Sequence, residues 1–165
     1  MLAADEKSEA GDPAVSGTNR GLDRSCLSHL LGYRITQANL QSRRAFQLGV
    51  GTPFKLSPVE FTILALLAHN PDATPKQLAQ ALAVSAPAVT TLLDRLAERE
   101  LLVRVRSEAD RRTQHLRLSR KGGQLARQAL EVSRTMEREL VRHLSEAERA
   151  ILMELLQKVA RGRRG

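Results

Sequence analysis

The sequence predicts a mainly α-helical protein with one small β-wing. Three observations predict it. Aromatic residues make up only 2% of a chain that is 42% hydrophobic, so the core must be Leu, Ala and Val, of which Leu and Ala are strong helix formers. Three segments begin with a serine or threonine followed three residues later by Glu or Gln: Ser57–Glu60, Thr74–Gln77 and Ser145–Glu148. That pairing is the capping box of a helix N-terminus. Residues 74–118 run through two helical stretches into two short alternating ones separated by a polar, Arg-rich tip.

Each element has its own signal. Residues 1–20 are rich in Gly, Pro, Ser, Asp and Glu without periodicity and read as a flexible arm. From Leu22 the apolar residues Leu22, Cys26, Leu27, Leu30, Leu31, Ile35 and Ala38 mostly recur at three or four, which predicts a helix. It should end near Leu48–Gly51, broken by Gly49 and Gly51. Ser57-Pro58-Val59-Glu60 opens a helix over 58–69 that buries Phe61, Leu64, Ala65 and Leu67. Thr74-Pro75-Lys76-Gln77 opens a short helix over 75–82, with Leu78 and Leu82 inward.

The turn Ala83-Val84-Ser85 leads to a helix over 86–99, capped by Ser85 with Pro87 in its first turn. Its inward residues are Val89, Leu92, Leu93 and Leu96. Residues 101–106 and 114–118 alternate and read as strands around the polar tip 107–113. Ser119 opens a long helix over 120–143, its first turn weakened by Gly122 and Gly123. A final helix over 146–160 carries Ile151, Leu152, Leu155, Leu156 and Val159. Two short helices followed by a basic hairpin form the pattern of a winged helix-turn-helix, which sets one helix in a DNA major groove.

Composition narrows the function classes. The formal net charge is +8, which favours a polyanionic partner. No run of 18 apolar residues exists, so no transmembrane helix and no membrane partner are expected. The N-terminus lacks the layout of a secretory signal. The single cysteine, Cys26, cannot form an internal disulfide, which fits a reducing cytoplasm. The histidines at 29, 69, 115 and 143 are scattered without metal spacing, and there is no Gly-rich phosphate loop or nucleophile elbow. Neither catalytic residues, nor a metal, nor a cofactor is expected, and the chain does not read as an enzyme. The long helix 120–143, roughly 36 Å at 1.5 Å per residue, and the terminal helices carry more apolar surface than the winged module can cover. A second copy is the simplest partner, and a two-fold dimer suits half-sites about 34 Å apart on DNA.

With these residues in place the chain resembles the MarR family of bacterial transcription regulators. The likeness rests on Leu56-Ser57-Pro58-Val59-Glu60-Phe61, on Val84-Ser85 through Thr90-Thr91-Leu92-Leu93-Asp94-Arg95-Leu96, on Asp110-Arg111-Arg112, and on Leu116-Arg117-Leu118-Ser119-Arg120-Lys121-Gly122. It covers roughly residues 22–160. It implies a homodimer with terminal helices as the dimerisation layer (21–50 and 120–160) and a DNA-binding domain over 55–119; the arginines of 161–165 read on their own as a short basic tail, more often a solvated end than a contact. It also implies a repressor bound to a pseudo-palindromic operator and released by a small molecule, an aromatic or phenolic acid or its thioester, in a cleft between the two layers.

The candidate DNA contacts follow from that layout. Lys76 and Gln77 meet phosphate. Ser85, Ala86, Pro87 and Ala88 are small enough for the backbone to approach the duplex, and Thr90 and Thr91 offer methyls and hydroxyls to base edges. Arg95 is the long donor. The plainer alternatives are a solvated face for the threonines and an ion pair to Asp94 or Glu98 for Arg95. In the wing, the resemblance implies that Arg111 or Arg112 enters the minor groove, held by Asp110, where a narrow groove attracts arginine. Arg104, Arg106 and Arg117 add only to the field. The candidate effector contacts are His29, Tyr33, Arg34, Arg43, Phe46 and Phe61, with Phe46 and Phe61 equally readable as core. Two alternatives remain: a peroxide sensor acting through Cys26, which otherwise reads as a buried apolar cysteine, and a winged module that binds proteins.

Overall fold

The computed structural model describes residues 22–106 and 114–161. Its order is α1 (Leu31–Phe46), a π-helical turn (Gln47–Gly51), α2 (Thr52–Phe54), α3 (Pro58–His69), α4 (Pro75–Leu82), α5 (Ala86–Glu98), β1 (Leu102–Arg106), β2 (Gln114–Leu118), α6 (Arg120–Leu140) and α7 (Glu146–Arg161). The protein is mainly helical with one two-stranded antiparallel sheet, in the register Leu102↔Leu118 and Arg104↔Leu116.

All three expected capping boxes form. Ser57 and Glu60 exchange hydrogen bonds of 2.7 and 3.2 Å, Thr74 and Gln77 bonds of 2.8 and 3.3 Å, and Ser145 and Glu148 bonds of 2.8 and 3.3 Å. Each satisfies N–H groups with no partner in their own helix. The bounds of α3 and α4 therefore agree with those read from the sequence. Ser119 also caps α6, accepting from the Gly122 N–H at 2.9 Å.

The first helix differs at both ends. It begins at Leu31 rather than Leu22, because Asp23 accepts both the N–H and the hydroxyl of Ser25 and starts a separate 3-10 turn over Ser25–Leu27. Leu30 is then extended and outside the helix. Nor do Gly49 and Gly51 break it. Neither has a positive φ, and a Cβ on Gly49 would already touch Met136 of α6 at 3.4 Å. The chain instead widens into the π turn just ahead of Pro53, which has no N–H for the helical ladder. It stops at Lys55, whose φ of 52° is left-handed.

The core is aliphatic, as its composition requires. One buried cluster joins Phe46 and Val50 with Ile63, Leu64 and Leu67 of α3, Val89, Leu93 and Leu96 of α5, Leu102 and Leu116 of the wing, and Ala126 and Ala129 of α6. Ile63 is fully buried although the sequence reading omitted it, while Phe61 and Ala65 are only half-buried. Beyond this core lie two unpartnered surfaces. α7 buries none of its residues, and Ile151, Leu152, Met153, Leu155, Leu156 and Val159 are all exposed. Leu30, Leu31, Ile35 and Leu40 are exposed around α1.

α5 is locked at its C-terminus. The Ser119 hydroxyl donates to the Glu100 carbonyl at 2.6 Å, and Lys121 Nζ donates to the Arg99 carbonyl at 2.9 Å. The Ser119 N–H reaches the Leu101 carbonyl at 3.1 Å. α6 crosses so closely here that a Cβ on Gly122 would stand 1.8 Å from the Leu101 oxygen. Gly122 is therefore not merely a weak first-turn residue, as its helix propensity suggests. It is the residue that lets α6 and the α5–β1 turn touch.

Candidate nucleic-acid interface

α5 has one apolar and one open face. Val89, Leu93 and Leu96 are buried, while Ser85, Ala86, Pro87, Ala88, Thr90, Thr91 and Arg95 are all exposed on the other side. The seven candidate residues of this helix thus share one surface. Ahead of them, Ala83 takes a left-handed φ of 52° and turns the chain from α4 into α5.

Two details of this face differ from the sequence reading. Ser85 makes no side-chain cap. Its carbonyl accepts the Val89 N–H at 3.1 Å, but its hydroxyl is not spent on the helix end. Pro87 has no N–H, so the N–H groups of Ala86 and Ala88 are the ones that point forward from the helix start. A helix N-terminus with free N–H groups and no side chain beyond a methyl or a proline ring attracts phosphate. Thr90 and Thr91 donate their hydroxyls back to the Ala86 and Pro87 carbonyls at 3.1 and 3.2 Å. Their protons are occupied, which leaves a methyl and an oxygen lone pair to face outward.

Arg95 is exposed, and among the described residues it pairs with neither Asp94 nor Glu98. Asp94 is taken by Arg104 of β1, at 2.5 Å. The ion-pair alternative for Arg95 therefore does not hold, and Arg104 is tied to α5 rather than a free charge. Lys76 is exposed at the start of α4. Gln77 is exposed, but its side-chain oxygen accepts from Thr74, so only its NH₂ remains for an outside acceptor. Asp110, Arg111 and Arg112 lie outside the described residues, as do the arm 1–20 and the tail residues 162–165.

The wing root is tied to the loop before α4. Ala73 bridges Leu116, the His115 ring donates from Nδ1 to the Asp72 carbonyl at 2.6 Å, and Arg117 Nε donates to Asp72 Oδ1 at 2.5 Å. Asp72 itself is left-handed, with φ of 68°. The Arg117 hydrogen bond holds its carboxyl below the usual aspartate range, and Asp72 in turn raises the Arg117 guanidinium. The sequence carried no sign of this tie, since Asp72 and its partners His115 and Arg117 are more than forty residues apart.

The candidate effector residues do not come together as expected. His29, Arg34 and Arg43 are exposed and Tyr33 is half-buried. Arg34 donates back to the Ser28 carbonyl at 3.3 Å. Phe46 and Phe61 pack on each other, ring centres 5.7 Å apart, as part of the core. Cys26 lies exposed in the 3-10 turn. It is not a buried apolar cysteine, because that turn packs no residue into the core. A groove lies elsewhere, between the end of α3, β2 and α6.

Comparisons with known proteins agree with this architecture. A family described as the MarR family matches residues 54–113. The chain is 31% identical to the HTH-type transcriptional regulator MhqR of Bacillus subtilis over 104 residues, 63% of this chain and 72% of that protein. It is 35% identical to the HTH-type transcriptional regulator PecS of Dickeya dadantii over 113 residues, 67% of this chain and 68% of that one. In structure it resembles the transcriptional repressor CouR bound to a 23-mer DNA duplex, with a TM-score of 0.80 and 34% identity, covering 86% of this chain and 99% of CouR. These relatives are transcriptional regulators, not enzymes.

Proposed function

The chain belongs to the MarR family of transcriptional regulators, and from that premise we propose that it is a homodimeric repressor released from a pseudo-palindromic operator by an aromatic or phenolic acid or its thioester. One observation carries the DNA part: the exposed face of α5 gathers Ser85 to Ala88, Thr90, Thr91 and Arg95 around an uncapped helix start. Small residues there let the helix N-terminus approach phosphate, and Arg95 reaches further to base or backbone. Lys76 and the free amide of Gln77 add phosphate contacts. Arg111 or Arg112 enters the minor groove beside the helix, with Asp110 orienting it.

The exposed apolar residues of α7 and α1 support the dimer. Six large apolar side chains on one helix, each at least 40% exposed, need a partner surface of like kind. A second copy supplies it without further assumption. Effector binding would favour the dimer whose two α5 helices no longer match the groove spacing, a difference in affinity between two states. The setting is the cytoplasm, where DNA and effector meet.

The test is binding of the full chain to the duplex just upstream of its own gene, at several salt concentrations. Contacts to several phosphates make the affinity fall steeply as salt rises, and the operator should win over random duplex by about a thousandfold or more. Arg111→Ala or Arg112→Ala should weaken operator binding while the dimer stays intact on a sizing column. Operator affinity unchanged in both variants would remove the wing contact. Absence of specific, salt-sensitive binding would turn the reading to a protein-interaction module.

A further inference from the structure

The loop between α3 and α4 holds three consecutive residues of β2. Ala73 accepts the Leu116 N–H at 2.9 Å, and Asp72 takes the residue on either side, His115 through its carbonyl at 2.6 Å and Arg117 through its carboxylate at 2.5 Å. Side chains alternate along a strand, so His115 and Arg117 share the face turned to the loop while Leu116 is buried on the other. A left-handed φ is costly for any residue but glycine. Of the four non-glycine residues that adopt one among the described residues, three close a helix: Lys55 and Ala83 are the C-caps of α2 and α4, and Glu100 stands just past the C-cap of α5. Asp72 closes none. α3 has already ended at Asn70, whose N–H and side-chain NH₂ both reach the Leu66 carbonyl at 2.8 Å. What the left-handed turn does is aim the carbonyl and the carboxylate of one residue at two side chains of β2. Fold stability is a weak reason for it, because the Arg117 and Asp72 side chains are 56% and 43% exposed and exposed ion pairs add little.

The position of Asp72 is a stronger reason. His115 is the second residue of β2, at the end of the strand nearest the wing tip. On the other side, the loop runs from Asp72 straight into the Thr74 cap of α4, with Lys76 and Gln77 in the first turn. We propose that Asp72 is a positioning residue for DNA binding: it fixes the angle of the wing against α4 and α5, so that a wing arginine and the open face of α5 meet one duplex in register. The inference rests on the reading of the chain as a DNA-binding regulator with Arg111 or Arg112 in the minor groove. A hairpin that pivots at its root spreads its arginine over many positions, and affinity falls by the fraction of chains that no longer match the duplex. The Ala73–Leu116 bridge and the His115 bond to the Asp72 carbonyl do not need the carboxylate. Losing the carboxylate therefore leaves the loop seated on β2 but frees Arg117, and the wing angle with it.

The experiment compares Asp72→Gly with the unaltered full chain. Glycine adopts the left-handed φ without steric cost and keeps the carbonyl, but offers Arg117 nothing. The melting temperature at one fixed protomer concentration should be unchanged or higher. Nitrogen relaxation of the backbone amides should show Arg106 and Gln114, at the tip end of the two strands, more mobile, while Val89 and Leu93 of α5 stay rigid. Affinity for the duplex just upstream of its own gene should fall about tenfold, the size of one good contact to the duplex. Asp72→Asn tolerates the same φ and still presents an oxygen to Arg117, so it should restore both the rigid wing and the affinity. In a chain already carrying Arg111→Ala and Arg112→Ala, Asp72→Gly should cost nothing further, because the two act through one contact. A wing that stays rigid in Asp72→Gly overturns the proposal, as does a melt lowered in step with the affinity. The same tenfold loss in the chain without the wing arginines overturns it too. Unchanged operator affinity in Asp72→Gly overturns the positioning role and leaves the regulator standing. A loosened wing in a chain that binds no duplex specifically upholds Asp72 as the residue that sets the wing and overturns the regulator.

Discussion

Gly122→Ala sets two opposed effects against each other at one atom. Helix propensity alone favours alanine by about 1 kcal/mol. The added Cβ, however, would stand 1.8 Å from the Leu101 carbonyl oxygen and 2.7 Å from its carbon. Carbon–oxygen contacts close to no less than about 3.3 Å, so α6 and the α5–β1 turn must separate by roughly 1.5 Å. The atom in the way is backbone, flanked by buried Leu101 and Leu102, and it also accepts the Ser119 N–H. Overpacking of this kind costs on the order of 3 kcal/mol, and weakening that hydrogen bond adds about 1 kcal/mol. After the propensity gain, Gly122→Ala should lose about 3 kcal/mol, or roughly 6–12 °C in Tm for a chain of this length. Gly123→Ala is the internal control. Its Cβ meets only the mobile end of Arg127 at 3.6 Å, so propensity should win and stability rise by about 0.5–1 kcal/mol. Thermal and urea unfolding at one fixed protomer concentration measure both, since a dimer's Tm depends on concentration. If Gly122→Ala melts at or above the unaltered chain, or if both variants shift alike, the close-approach argument is wrong.

Three further predictions follow from the same structure. Thr74→Ala should cost about 1 kcal/mol because it removes a formed capping box, whereas Ser85→Ala should leave the melt unchanged, there being no cap to lose; denaturant titration separates them. The Asp72 carboxyl, followed by NMR, should titrate below the usual value near about 3.9 and move back up in Arg117→Ala. Since the folded value is the depressed one, this ion pair favours the fold above about pH 4 and its contribution is lost as pH falls through the folded value. Finally, Ile151→Glu with Leu155→Glu places two charges on the exposed apolar face of α7 and should shift the chain to monomer in sedimentation; an undisturbed dimer would place the interface elsewhere.

What the sequence made legible follows a physical rule. Elements whose start is set by one side chain three residues from its partner were readable, and Ser57, Thr74 and Ser145 fixed α3, α4 and α7. The open face of α5 was readable because burial at Val89, Leu93 and Leu96 leaves only one other side. The start of α1 was not, because Asp23 bonds Ser25 locally and closes a three-residue 3-10 turn, which delays the helix from Leu22 to Leu31. Gly122 was misjudged because its requirement comes from Leu101, which no local pattern reports. The candidate effector residues share a chemistry but not a surface: His29, Arg34 and Arg43 are exposed, whereas Phe46 and Phe61 pack into the core. Phe46 and Phe61, two of the three aromatics read as ligand contacts, pack on each other against a buried core that is otherwise aliphatic.

The tie at Asp72 also bears on how this chain folds. His115 and Arg117 bond a residue 43 and 45 positions earlier, so α4, α5 and β1 all lie inside one closed loop. Closing it costs entropy that is recovered only when both ends are in place. Full closure needs the helix pair and the hairpin together, so the segment is expected to open as one cooperative unit. Amide hydrogens of α5 and β2 should exchange through a shared opening event, although the two elements lie on different sides of the loop. A chain cut before β2 would keep every residue of α5 and still lose the closure that holds it.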